Sequence, residues 1–263
     1  MRLRRQYLTK NDCYRTDRTI QVQGVMVHST GANNPRVSRY VPGDQEMGFN
    51  TADNHWDRPG LTKCVHAFVG KFADGEPGTV QTLPWTHRGW HAGGAANNTH
   101  IGFEICEDGL DDPVYFQKIY EESVQLTAML CRQFQLDPLA EGVVICHAEG
   151  HQLGIASQHG DVLHWFPKRG KSMDDFRQDV AARLREDPEP EEPEEEGGDG
   201  GVTYEQWKEF MERYRQELAQ LPGSDWGQEE LEKGVAQGFT DGQRPQDLAT
   251  RQEVVSMIVR AEK

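Results

Sequence analysis

Residues 186–201 read E-D-P-E-P-E-E-P-E-E-E-G-G-D-G-G, and no packed element can be built from them. Like charge, proline and glycine leave nothing apolar to bury, so the run is a linker. It divides the 263-residue chain into a body of residues 1–185 and a tail of residues 202–263. The body is long enough for one well-buried core, whereas a tail of this size is marginal by itself. Setting aside the nine acidic residues of the linker takes the formal net charge from −15 to −6. An acidic chain without a basic patch excludes nucleic acid as the partner. No apolar run approaches the roughly 20 residues of a membrane span. The N-terminal M-R-L-R-R-Q has charge but no hydrophobic stretch behind it, so no secretory signal is expected and synthesis is placed in the cytoplasm. The five cysteines (13, 64, 106, 131 and 146) are odd in number and form no CxxC pair, which predicts no disulfide framework and a reducing compartment.

Within the body, residues 144–168 (V-I-C-H-A-E-G-H-Q-L-G-I-A-S-Q-H-G-D-V-L-H-W-F-P-K) gather His147, His151, His159, His164 and Asp161. Imidazole and carboxylate are ligands that suit zinc, and a catalytic zinc takes three of them. The β-branched run before His147 predicts a buried strand that delivers this histidine at its end. Gly150, Gly154 and Gly160 predict a loop after it, in which His159 and Asp161, two apart, face the same way. A His-rich surface loop is the plain alternative. Residues 24–28 (G-V-M-V-H) repeat the pattern, with His28 at the end of a second apolar strand. Strand ends are where open α/β sheets place their sites.

The remaining segments set out an α/β body. Residues 33–62 read as a long polar loop flanking a cleft. Residues 64–72 and 79–83 read as a hairpin turning at Asp74-Gly75. Residues 85–94 (W-T-H-R-G-W-H-A-G-G) form a loop whose indoles and imidazoles either face a sugar or peptide or simply pack. Residues 99–106 read as a central strand. There Glu104 shares a face with Gly102 and Cys106, where a carboxylate meets a cation or lies on a solvated face. Helical spacing appears over residues 115–134 and 174–184, the second with Ser172 as its cap. In the tail, Tyr204, Trp207, Phe210, Met211, Tyr214, Leu218 and Leu221 make a helical stripe that opens with a capping box at Thr203. Shorter helices are expected over 229–237 and 251–261, the latter with a second capping box at Thr250.

Taken in order, M-V-H-S-T-G, S-R-Y-V, W-H-A-G, I-G-F-E-I and H-G-D-V-L-H-W-F-P-K resemble the zinc N-acetylmuramoyl-L-alanine amidases, a superfamily that includes the peptidoglycan recognition proteins. The pieces look most like the phage and prophage cell-wall lysins and span residues 6–184. The resemblance implies an α/β body with a central mixed sheet flanked by helices and a zinc at the floor of a groove, beside a small all-α C-terminal module. It places the metal ligands at His28, His147 and Asp161. It makes Glu104 the carboxylate that works on the attacking water and His159 the donor to the developing oxyanion, where many relatives carry Lys. Trp90, His91, His66 and His164 fall at packing or groove positions and are the substrate-binding candidates. The i, i+4 pair His147/His151 suggests an HExxH site, but in H-A-E-G-H the Glu is misplaced and Gly150 interrupts the turn. The implied reaction is cleavage of the amide between N-acetylmuramic acid and the stem peptide's L-alanine, after release through a holin-type pore. The same fold also serves as a binding protein without hydrolysis. In the tail, A-x-G-F-T-D-G followed by T-R-x-E-V-V-S-M-I-V-R-A resembles one S-layer-homology repeat. That leaves secondary cell-wall polymer and self-association through residues 204–221 as its two candidate partners.

Overall fold

The structure, a computed structural model, describes residues 1–186, 204–224, 227–247 and 259. The linker, the capping boxes at Thr203 and Thr250, and all of the expected helix over 251–261 except Val259 lie outside the described residues. The chain divides into two compact units, Met1–Glu191 and Glu192–Lys263.

The first unit is built on one six-stranded sheet. Its strands are β1 (Leu3–Arg5), β2 (Gly24–Ser29), β3 (Ala67–Lys71), β4 (Pro77–Gln81), β5 (His100–Ile105) and β6 (Val144–Cys146), in the spatial order β1-β4-β3-β5-β2-β6. Only the β3–β4 hairpin is antiparallel, and every other neighbouring pair is parallel, so the sheet is mixed. β5 and β2 are adjacent interior strands; β2 is buried along its whole length, whereas in β5 Ile101, Phe103 and Ile105 alternate with His100, Gly102 and Glu104. They pair in parallel with Val27 opposite Phe103 and His28 opposite Glu104. Val25, Val27, Ile101, Phe103 and Ile105 therefore face one way and His28 and Glu104 the other.

The apolar face packs on α2 (Pro113–Gln133) and α4 (Met173–Glu186) through Ile119, Leu126, Leu130, Phe176 and Val180. The start of α2 is set by Asp112, whose carboxylate accepts from the Val114 and Tyr115 amides, and by Pro113 in the first turn. Ser172 caps α4 as expected, its Oγ accepting from the Asp175 amide while the Asp175 carboxylate accepts from the Ser172 amide. On the opposite face, Val37, Tyr40, Val41 and Met47 from the long loop are buried against Phe68, Phe72 and Val80. The loop thus packs as a cover and contains only one 3-10 turn, Val37–Arg39.

Two expectations are corrected. Cys13, in the short helix α1 (Asp12–Arg15), is bonded to Cys64, whereas Cys106, Cys131 and Cys146 are free and buried. An odd count excludes a fully paired framework but not a single bridge, and the partners are 51 residues apart, beyond any short-range pattern. The segment after β6 is not loop from the outset but a helical turn and a half, α3 (His147–Gln152). Its start is held by Glu149, whose carboxylate accepts from the Cys146 amide. Gly150 is tolerated because it lies against the sheet, where a Cβ would stand 2.7 Å from Met26 Cε.

In the second unit, α5 (Tyr204–Gln220) and α6 (Gln228–Ala236) follow the expected helices. Trp207, Phe210 and Tyr214 are each about half exposed along α5. Among the described residues no helix is long and apolar enough to cross a membrane.

Candidate metal and active site

His28 is the penultimate residue of β2, and His147 is the first residue of α3 directly after β6. β2 and β6 are adjacent parallel strands, so both histidines arrive at the same edge of the sheet. Asp161 comes from the loop that returns after α3, at a point where Val162 takes a left-handed backbone (φ 58°). The three side chains converge. His28 Nδ1 is 3.1 Å from His147 Nδ1 and 3.1 Å from Asp161 Oδ2, and His147 Nδ1 is 3.2 Å from the same oxygen. Both imidazoles are buried and the carboxylate is about one-fifth exposed.

The cluster fits a metal ion. Two imidazole nitrogens and a carboxylate oxygen are a zinc-type donor set, and ligands about 2.0–2.1 Å from a tetrahedral zinc stand roughly 3.3 Å from one another. The neighbouring carboxylate agrees with this. Glu104 is placed next to His28 by strand register, and its Oε2 is buried with no hydrogen-bond partner among the described residues. Burial first, then the charges of Asp161 and Glu107, push the Glu104 carboxyl well above the usual carboxylate range, with Lys63 opposing. Burial lowers His28 and His91 from the ordinary histidine value, Asp161 opposing the shift at His28.

His159 is exposed, its ring 4.5 Å from that of His147, so the structure brings the expected donor to the cluster. His91 reaches the cluster from below, with Nδ1 2.9 Å from His28 Nε2, and its ring lies over Gly102, where a Cβ would come within 2.4 Å. His164 binds the buried carboxylate of Glu107 at 2.8 Å, which ties the Asp161 loop to the end of β5. His66 departs from the expectation of substrate contact. It is fully buried, its Nδ1 accepting from the Gly102 amide and its Nε2 donating to the His87 carbonyl, so no ring atom is left for a ligand. Trp90 is half exposed beneath the Arg88 guanidinium, and no described hydrogen bond or ring contact joins it to the cluster. His151 shares α3 with His147 but is exposed, with Nδ1 near the Ala156 carbonyl, and so lies outside the ligand group.

Sequence reasoning missed Ser157, whose hydroxyl touches both His147 and His159, and the buried Glu107. Ser157 falls inside a stretch already singled out for its histidines, but nothing in its spacing marks it. A shallow cleft of about 490 Å³ lined by Ala148, His151, Gln158 and His159 adjoins the cluster. A larger one of about 620 Å³ lies between α2 and α4, behind the sheet from Glu104, and contains none of these residues.

A mixed sheet with a His-His-Asp cluster and an unpaired glutamate at its strand ends defines a hydrolytic type of site. The chain belongs to the N-acetylmuramoyl-L-alanine amidase family, whose model matches residues 18–164, more than half of its length. Among solved structures, the Staphylococcus aureus hydrolase AmiA in complex with its ligand superposes with a TM-score of 0.54 at 18% identity, over 71% of this chain and 85% of that one. PlyL superposes at 0.50 and 18% identity, over 68% of this chain and 97% of its own. The catalytic domain of XlyA gives 0.50 and 18%, over 68% and 99%. Likeness at this identity establishes the fold. No curated protein sequence matches the chain.

Proposed function

We propose that the chain is a zinc-dependent N-acetylmuramoyl-L-alanine amidase of the endolysin type, cutting the bond between the muramic lactyl group and L-alanine. The observation that carries this reading is the convergence of His28, His147 and Asp161 beside a buried, unpaired Glu104. His28, His147 and Asp161 would hold the metal. Zinc, when bound in such a site, supplies Lewis acidity that lowers the pKa of water and polarises a carbonyl. Glu104 takes a proton from the attacking water and returns one to the departing L-alanine nitrogen. A carboxyl raised by burial is suited to both directions of that transfer. His159, exposed beside His147, donates to the oxyanion as it forms. Peptidoglycan strands would lie along the groove past His159, with Trp90 and His164 on its margins. Residues 1–185 form the catalytic domain, 186–201 the linker and 202–263 a tail that binds secondary wall polymer or a second chain. Release to the wall runs through a holin-type pore.

The test is zinc content and the release of L-alanine amino termini from purified peptidoglycan, for the wild type and Glu104→Ala in parallel. One zinc per chain is expected in both, with amine release about 10²–10⁴-fold slower in the variant. Bound zinc and tight pelleting with walls, without amine release from the wild type, would instead establish a recognition protein of the same fold. A wild type that binds no zinc would remove the ligand assignment.

A further inference from the structure

His28 Nε2 lies 2.9 Å from His91 Nδ1, and His91 Nε2 lies 3.1 Å from the His100 carbonyl. A carbonyl only accepts, so His91 carries its proton on Nε2 and offers a bare Nδ1. His28 must then donate from Nε2, which leaves a lone pair on its Nδ1. The same accounting applies on the other side of the cluster. Ser157 Oγ is 3.2 Å from the Ala92 carbonyl, 3.2 Å from His147 Nε2 and 3.2 Å from His159 Nδ1. Its single hydrogen goes to Ala92, because two acceptors would otherwise face each other, and both imidazoles donate to its lone pairs. His147 is therefore also protonated on Nε2 and bare on Nδ1.

We propose that His91 and Ser157 are the positioning residues of this site, locking both ligand histidines in the Nε2–H tautomer so that their Nδ1 lone pairs meet Asp161 Oδ2. Three lone pairs within about 3.2 Å of one another, with no proton among them, call for a cation at their centre. Both anchors end on backbone carbonyls, at Ala92 in the segment before β5 and at His100, the first residue of β5. Two glycines make room for them. A Cβ at Gly102 would stand 2.4 Å from His91 Nδ1, and one at Gly93 (φ 64°) would stand 2.5 Å from Ser157 Oγ. The proposal rests on the zinc reading made above, and its test separates the two.

The experiment reads imidazole nitrogens directly, by long-range ¹⁵N–¹H correlation on the zinc-loaded full chain, in which the ion and not a proton faces Asp161, and then zinc affinity by competition with a chelator. Wild type should show Nε2–H for both His28 and His147. Ser157→Ala should release His147, and His91→Leu should release His28, each weakening zinc binding about 10–100-fold. His91→Asn, which keeps an acceptor near the Nδ1 position in a side chain shaped like Leu, should recover most of that loss. An Nδ1–H tautomer at either ligand in the wild type would overturn the proposal, and this measurement needs no substituted protein to fold. So would Ser157→Ala and His91→Leu proteins that bind zinc as tightly as the wild type. A wild type that binds no zinc would overturn the metal reading on which this one rests, whereas zinc bound with Nδ1–H at either histidine would overturn this proposal alone.

Discussion

Gly102 shows how much a single residue carries in this site. It lies in the middle of β5, directly under the His91 ring, so that Gly102→Ala would push a methyl group to within 2.4 Å of that ring. Overpacking of this kind costs about 1–3 kcal/mol, and the displaced His91 would also lose its bond to His28. The expected result is a lower urea midpoint together with weaker zinc binding, and unchanged zinc affinity would show that the His91 ring does not need this place. His66 makes a second residue-level prediction, about pH. Burial holds it down to about 4 from its ordinary 6.5, so the folded protein keeps it neutral. As pH falls below 6.5 the unfolded chain takes up the proton first, and the stability this group contributes is lost by about pH 4. That loss reaches about 3 kcal/mol, to be read as a steeper fall in unfolding free energy between pH 7 and 4 for wild type than for His66→Asn. The positions of His28 and His147 were legible in the sequence because apolar runs ending in histidine announce strand ends. The roles of His91 and Ser157 were not, since they depend on which carbonyl a distant loop presents.

Secondary elements were legible where one face is buried and a cap marks the end. The hairpin β3–β4 and the helices α2 and α4 follow from periodicity, with Ser172 marking the start of α4, whereas the Asp112 cap of α2 emerges only in the fold. α3 was hidden because Gly150 looks like a break, and only the fold shows that it lies close against Met26 and Ala156. The Cys13–Cys64 bridge was hidden because it joins α1 to the approach to β3 across 51 residues. This bridge departs from the expectation of a reducing compartment, since such bonds persist in oxidising ones. Cys64 also exchanges backbone hydrogen bonds with Trp90, next to His91, so the bridge braces the segment that contacts His28. Chain entropy alone assigns a loop of this length about 4 kcal/mol. Thiol titration of the unreduced, denatured protein should therefore find three thiols, not five, and the double substitution Cys13→Ser, Cys64→Ser should lower the melting temperature by many degrees. Five thiols, or unchanged melting, would dismiss the bridge as a structural element.

At the scale of the whole chain, the site and the core that positions it lie in the first unit. His28, Glu104, His147 and Asp161 are carried by β2, β5, α3 and the following loop, and the large apolar cluster draws only on residues up to Leu184. A unit with its own complete core folds independently, so residues 1–186 should melt within a few degrees of the full chain. They should also release L-alanine amino termini from soluble muropeptides at a rate within about twofold of it, since a small substrate needs no second point of attachment. Intact walls are different, because a second attachment raises the local concentration of the catalytic unit. If the tail binds wall polymer, the truncated protein should pellet with walls at least about tenfold more weakly, at all protein concentrations. If instead the half-exposed Trp207, Phe210 and Tyr214 pair two chains, the full-length protein should change mass on dilution in ultracentrifugation, and its advantage on walls should fade with it. Equal pelleting by both proteins, with no change in mass, would leave the tail without either role and place all wall recognition in the groove beside Glu104.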